Sequence, residues 1–231
     1  MKKEWWLPLF LLAAACSDES QPSPRPGRQP GRWLHRQKEA LRRDPVETTL
    51  AGLEHRDPAV RAWAAEALGL LGETPEAARI AVSLLAAAAG EEQQVRTNAM
   101  VSLFRLGEPV LPTLARALGH DDLRVREAAA IILARQETKS LPALVRALAH
   151  EGAQVRIEAL AILADLGTRA TPALKGILPL AEDSDREVRT RVMIALGRIS
   201  PQAPAAREAL IRGKQDRDGQ VRRAAARALG D

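Results

Sequence analysis

Residues 111–167 read LPTLARALGHDDLRVREAAAIILARQETKSLPALVRALAHEGAQVRIEALAILADLG, and the fold is decided there. The octet Leu111-Pro112-Thr113-Leu114-Ala115-Arg116-Ala117-Leu118 returns 30 residues later as Leu141-Pro142-Ala143-Leu144-Val145-Arg146-Ala147-Leu148. Val125-Arg126 likewise returns as Val155-Arg156. Counting from each Val, small or apolar residues fall at 0, 4 and 8: Val125, Ala129, Leu133 and Val155, Ala159, Leu163. At about 100° per residue these positions share one helical face. Each copy thus predicts two short amphipathic helices joined by a polar turn, and stacking copies buries the stripe that one copy cannot bury alone.

The anchor recurs in both directions along the chain, at Val60-Arg61, Val95-Arg96, Val188-Arg189 and Val221-Arg222, with successive spacings of 35, 30, 30, 33 and 33 residues. The added copies carry Ala64, Ala99, Val192 and Ala225 four places on and Leu68, Leu103, Leu196 and Leu229 eight places on. Gly72, Gly107 and Gly167 follow Leu71, Leu106 and Leu166 and read as helix stops. Pro45, Pro75 and Pro204 suit the first turn of a helix, where a missing N–H costs least. Pro112, Pro142 and Pro172 recur seventeen residues after the preceding Val. The repeats fall at approximately 44–72, 74–107, 108–136, 138–167, 168–199 and 201–230. Residues 32–43 read as an N-terminal capping helix, so that the repeat domain spans 32–231.

These residues resemble the HEAT-like repeat family, in the short form found in bilin lyases. The resemblance implies an all-α, right-handed α-solenoid, or superhelix, of about six helical hairpins, over roughly 44–231. Its recurrent Asp and Arg stand here as Asp57/Arg61, Asp122/Arg126, Asp185/Arg189 and Asp218/Arg222, with Glu92 and Gly152 in place of Asp before Arg96 and Arg156. An Asp in front of a helix caps its free N–H groups. An Arg four residues later can reach the cap of an adjacent repeat. The row therefore reads as a structural polar ladder and not as a ligand-binding stripe.

The first sixteen residues have a different character. A charged start, Met1-Lys2-Lys3-Glu4, precedes an apolar stretch from Trp5 to Ala15 and then Cys16. That stretch falls short of the about 20 helical residues needed to cross a bilayer, but it matches a signal-peptide core. Leu12-Ala13-Ala14-Ala15-Cys16 resembles a bacterial lipobox, with Ala13 in place of the preferred large aliphatic residue. The resemblance implies a signal peptide over 1–15, a lipid anchor on Cys16 and a membrane-anchored lipoprotein of the cell envelope, facing the periplasm or cell exterior. The chain has one Cys, so it can form no internal disulfide. Residues 16–31, with Pro22, Pro24, Pro26 and Pro30 among polar residues, read as an extended tether.

Composition agrees with helices packed closely through small side chains. Hydrophobic residues make up 46% of the 231, there is no Tyr, and after Cys16 the aromatics are Trp33, Trp63 and Phe104. The formal charge of +5 arises from 34 basic and 29 acidic residues with no run of five like charges, which predicts an interspersed, solvated surface. An anionic-polymer binder, of nucleic acid or an acidic envelope polymer, is the competing reading, and the scarcity of stacking aromatics argues against it.

Catalytic signatures are missing from the sequence. His55, His120 and His150 each stand five residues before a Val anchor, in the turn between helices. Neighbouring helices lie about 8–10 Å apart, too far for register-equivalent His to share one zinc at about 2.1 Å. The iron-binding deoxyhypusine hydroxylases, which are HEAT-like, carry His-Glu directly after Val-Arg. The equivalent places here hold Ala62-Trp63, Thr97-Asn98, Glu127-Ala128, Ile157-Glu158, Thr190-Arg191 and Arg223-Ala224. No phosphate loop, nucleophile elbow or HExxH pattern occurs. No cofactor and no metal are expected, and a HEAT-like lyase-type enzyme is the least favoured reading.

The second helices of HEAT-like hairpins line the concave side, so positions six and nine after Val point there: Val101, Phe104, Ile131, Ala134, Ala161 and Ile194. Arg105, Arg135 and Arg198 stand beside them at position ten. An apolar stripe edged by Arg is a candidate groove for a protein partner. The expected function is a non-catalytic, lipid-anchored envelope scaffold that binds a protein along this face.

Overall fold

The computed structural model describes residues 30–72 and 74–230, apart from the side chains of 30–32 and 34. The leader over 1–15, the Cys16 anchor and most of the tether lie outside the described residues. Among the described residues every regular element is helical. They form two compact units, one running to Val110 and the other from Leu111 onward.

The first unit begins with α1, Pro30–Arg43, which starts two residues inside the segment expected to be extended. Proline's fixed φ suits a first helical turn, so Pro30 opens the helix and does not prolong the tether. Helix α2, Pro45–Leu53, follows Asp44, whose Oδ1 accepts the Glu47 N–H at 3.0 Å. Helix α3, Pro58–Leu68, completes the first hairpin. Trp33 of α1 packs beside this hairpin. Its ring lies 5.5 Å from the Trp63 ring and edge-on to His55 at 6.1 Å.

The second hairpin is α4, Ala77–Ala89, and α5, Gln93–Leu106, followed by a 3-10 turn over Glu108–Val110. Pro75 does not occupy the first turn of α4. Thr74 O accepts the Ala77 N–H at 3.1 Å, and that tight turn displaces the helix start by two residues. Helices α3 and α5 pack on each other. A Cβ at Gly69 would lie 2.4 Å from Ser102 Oγ, so the close approach there requires glycine.

The second unit has α6 Leu111–Ala117 with α7 Leu123–Arg135, and α8 Leu141–Ala147 with α9 Ala153–Leu166. Its third hairpin departs from the two-helix expectation. Residues Gly167–Ala173 and Leu178–Glu182 are 3-10, and only α10, Leu174–Ile177, lies between them as α-helix before α11, Arg186–Ile199. Pro179, which supplies no N–H and crowds the preceding turn, stands where the two earlier hairpins of this unit have Gly119 and Ala149, and it breaks the first helix into tighter pieces. Helix α12, Pro204–Gly213, and α13, Gly219–Leu229, form the last hairpin.

Second helices pack side by side in the order α7, α9, α11, α13. Their stripe positions fill the core: Val155, Ala159, Leu163 and Leu166 are buried, as are Val188, Val192, Leu196 and Ile199. Fully burying one such aliphatic side chain contributes about 1.5–3 kcal/mol. Both units are thus α-solenoid in class, each a row of hairpins cemented by one repeated apolar face.

Candidate functional site

The repeated arginines are held by the turns that precede them. Arg126 Nη1 donates to His120 O at 2.7 Å and Asp121 O at 2.9 Å. Arg156 Nη1 meets His150 O and Glu151 O, both at 2.7 Å. Arg189 Nη1 meets Asp183 O at 2.8 Å and Ser184 O at 3.1 Å, and Arg222 Nη1 meets Asp216 O at 2.7 Å and Arg217 O at 3.0 Å. In the first unit Arg61 donates to His55 O at 2.5 Å, and Arg96 to Gly90 O and Glu91 O. One guanidinium thus satisfies carbonyls left over where a first helix ends.

Four of the second helices begin behind a capping carboxylate. Asp57 accepts from Ala59 N at 2.9 Å, Asp122 from Arg124 N at 2.8 Å, Asp185 from Glu187 N at 2.7 Å and Asp218 from Gln220 N at 2.7 Å. Glu92 and Gly152 make no side-chain cap bond.

In the second unit the arginine's partner in the next hairpin is not the cap residue but the Asp two places before it. Arg189 Nε and Nη2 grip Asp216 at 2.8 and 3.2 Å, with both side chains nearly buried, 5% and 13% exposed. Arg156 Nη2 donates to Asp183 Oδ1 at 3.0 Å, and its Nε stands 2.9 Å from Oδ2 off the line of a hydrogen bond. Reach explains the offset, because a guanidinium pinned by Nη1 to its own turn presents its other edge sideways. In the first unit Arg61 does pair with a residue at the cap position, Glu92.

Asp183 and Asp216 were not singled out from the sequence. The available signal was an Asp five residues before Val188 and Val221, where three of the four earlier repeats carry His and the second carries Gly90. The Arg189 hydrogen bond, aided by the Asp218 backbone N–H and opposed by burial, holds the Asp216 carboxyl below its ordinary range. The same bond raises Arg189 above the ordinary arginine value.

The three turn histidines use one geometry. Nδ1 accepts the N–H two residues on: Asp57 N to His55 at 3.0 Å, Asp122 N to His120 at 3.1 Å and Gly152 N to His150 at 3.0 Å. Asp183 and Asp216 accept the equivalent N–H groups, from Asp185 at 2.9 Å and Asp218 at 2.8 Å. Among the described residues no group of three or more His, Cys, Asp or Glu is placed to hold a metal. No helix among them is long and apolar enough to cross a membrane.

The apolar positions on the second helices divide between the units. On α5, Val101 is 42% exposed and Phe104 46% exposed, with Arg105 exposed beside them. On α7, Ile131 is 46% exposed, with Ala134 and Arg135 exposed beside it. Ala161 of α9 and Ile194 of α11 are half-buried at the same register position, and Arg198 is exposed and paired with Asp165 at 2.7 Å. Position nine also packs: a Cβ at Gly197 would lie 2.7 Å from the Cβ of Ala228.

The sequence matches the family described as HEAT repeats over residues 81–164 and 141–230, more than half of the chain. The chain belongs to the HEAT repeat family. No curated protein matches it in sequence. Solved structures similar to this HEAT repeat chain include human deoxyhypusine hydroxylase in complex with glycerol, at 24% identity and TM-score 0.45, covering 80% of this chain and 72% of that one. A designed armadillo repeat protein is 18% identical with TM-score 0.42, covering 80% of this chain and 98% of the design. The complex of two phycocyanin lyase subunits from Nostoc has 27% identity and TM-score 0.36, covering 80% and 76%.

Proposed function

We propose that this HEAT repeat protein is a non-catalytic scaffold of the bacterial cell envelope, anchored by a lipid on Cys16, that binds a protein partner along the second helices. The observation that carries the reading is in the second unit. Ile131, Ala161 and Ile194 repeat one register position on three second helices packed side by side, with Arg135 and Arg198 beside the outer two. The ladder arginines are occupied within the turns, so the residues left to meet a partner are these apolar side chains and their neighbours. Exposed apolar positions rimmed by charge are how protein-binding faces are built. Val101, Phe104 and Arg105 offer the first unit's own surface of the same kind.

Crosslinking and mass spectrometry from intact cells, with wild type beside Ile131→Glu and Phe104→Glu, tests this reading. A partner should be captured by wild type and lost in at least one variant whose melt is unchanged. Equal capture by all three would remove the second-helix face as the binding site. For the anchor, Cys16→Ser should abolish labelled-palmitate incorporation, and incorporation that survives the change would overturn it.

A second reading, binding of an anionic polymer, is favoured by one observation. Arg217, Arg222, Arg223 and Arg227 are all exposed on or beside α13, and none ion-pairs with a carboxylate among the described residues. Capture that weakens steeply with added salt would favour the polymer.

A further inference from the structure

The chain's charge is concentrated at one end. Residues 44–231 carry 25 Lys or Arg and 25 Asp or Glu, so the formal charge of +5 lies wholly within the first 43 residues. Between residues 20 and 43 seven side chains are basic, and Glu39 alone is acidic. This stretch leads from the Cys16 anchor into the folded protein and ends with α1.

The packing of α1 decides which way its basic residues face. Trp33, Gln37, Ala40 and Leu41 recur at helical spacing and are half-buried, where α1 packs on α2 and α3. The Trp33 ring lies 5.5 Å from that of Trp63, and a Cβ on Gly52 of α2 would stand 3.3 Å from Trp33 Cη2. That contact fixes the rotation of α1 about its axis. Arg36, Lys38, Arg42 and Arg43 fall on the other side and are exposed. Arg36, Arg42 and Arg43 ion-pair with no carboxylate among the described residues. The apolar side of α1 is covered by α2 and α3, so what it offers outward is charge.

We propose that the basic face of α1 lies against anionic phospholipid headgroups, as a second attachment beside the lipid on Cys16; this rests on the anchor proposed above. The segment from Cys16 to Pro30 spans at most about 50 Å fully extended. An anchored chain therefore keeps α1 near the headgroups and raises its effective concentration there. Attraction acts within about 8–10 Å of the surface at physiological salt. Each basic residue in that layer strengthens binding about fivefold. Residues 44–231, with no net charge, neither add to this attraction nor oppose it. The contact lies on α1 and is distinct from the second-helix face assigned to the protein partner.

The test uses the full chain carrying Cys16→Ser and His35→Cys, with a fluorophore at residue 35, an exposed place on α1. It is mixed with saturating vesicles that bear a nitroxide-headgroup lipid, in phosphatidylcholine alone or in phosphatidylcholine with phosphatidylglycerol. Quenching should be at least about threefold stronger on the anionic vesicles and should fall to the neutral level as sodium chloride is raised. Arg36→Gln/Arg42→Gln/Arg43→Gln should lose that difference. Arg146→Gln/Lys175→Gln/Arg207→Gln, which removes the same charge from exposed places on α8, α10 and α12, should keep it. Every arm has the same residues 1–15, so differences between arms report α1. If the α1 variant does not keep the wild-type melt, the comparison of vesicles and salt decides alone. Equal quenching on both vesicles, a difference that survives in a folded α1 variant, or one lost equally in the control variant overturns the proposal. Loss of the difference on adding soluble poly-L-glutamate at the vesicles' own charge concentration overturns the assignment to a membrane. No acyl chain is present in any arm, so a failure here and a failure of palmitate labelling are read separately.

Discussion

Arg189 and Asp216 show what a single residue does here. The guanidinium ties two carbonyls of its own turn, and the carboxylate accepts both from it and from the Asp218 N–H, so one pair of side chains fastens two hairpins. Both are nearly buried, which makes removal of one partner costly because the other stays desolvated. Replacement of Arg189 by Ala should destabilise the second unit by about 3 kcal/mol or more, read by urea denaturation at pH 7. The pH dependence has a defined sign. Asp216 titrates lower in the folded chain than in the unfolded one, so its contribution is present above the unfolded value and fades as pH falls through the folded one. Asp216→Asn should be less stable than wild type at neutral pH, and the difference should shrink as pH drops below about 4. A gap that stays constant down to pH 2 would show that the pair contributes nothing through charge.

At the scale of the helix, starts and stops carry the information. Gly107 and Gly167 end α5 and α9 with φ of 64° and 57°, a region costly to any residue with a Cβ. Gly167→Ala should therefore cost about 1–2 kcal/mol, while Gly152→Asp, at the uncapped start of α9, should gain only about 0.2–0.5 kcal/mol, because Gly is itself a tolerable N-cap. Thermal melts of the two variants should move in opposite directions, and a loss in both would contradict the capping argument. These termini were the most legible part of the sequence. Glycine after the eleventh position and Asp before the helix are local signals with local causes. Tertiary pairing was not legible in the same way: Asp183 and Asp216 mattered because of where an arginine 27 residues earlier points its free edge. The fragmentation of the third hairpin of the second unit also escaped, since Pro172 sits at the offset that Pro112 and Pro142 occupy without breaking α6 or α8. Exposure on the second helices depends on how closely neighbours approach, and periodicity alone does not encode it.

For the molecule as a whole, contacts divide at Val110/Leu111, and each unit has an apolar core of its own. Repeat proteins derive their stability from individual hairpins and nearest-neighbour interfaces. A fragment of residues 111–231 should accordingly keep its helical circular dichroism and melt cooperatively. A fragment that is unfolded at 25 °C would show that the second unit requires the first. The polar ladder also bears on synthesis. The carbonyls that hold Arg156 and Arg189 precede them in the chain, whereas Asp183 and Asp216 follow 27 residues later. At roughly 5–20 residues per second, about 1–5 s separate an arginine's emergence from the ribosome and that of its carboxylate. In both places the later hairpin thus arrives carrying the counter-charge for the one before it, and the growing chain is latched there from its N-terminal side.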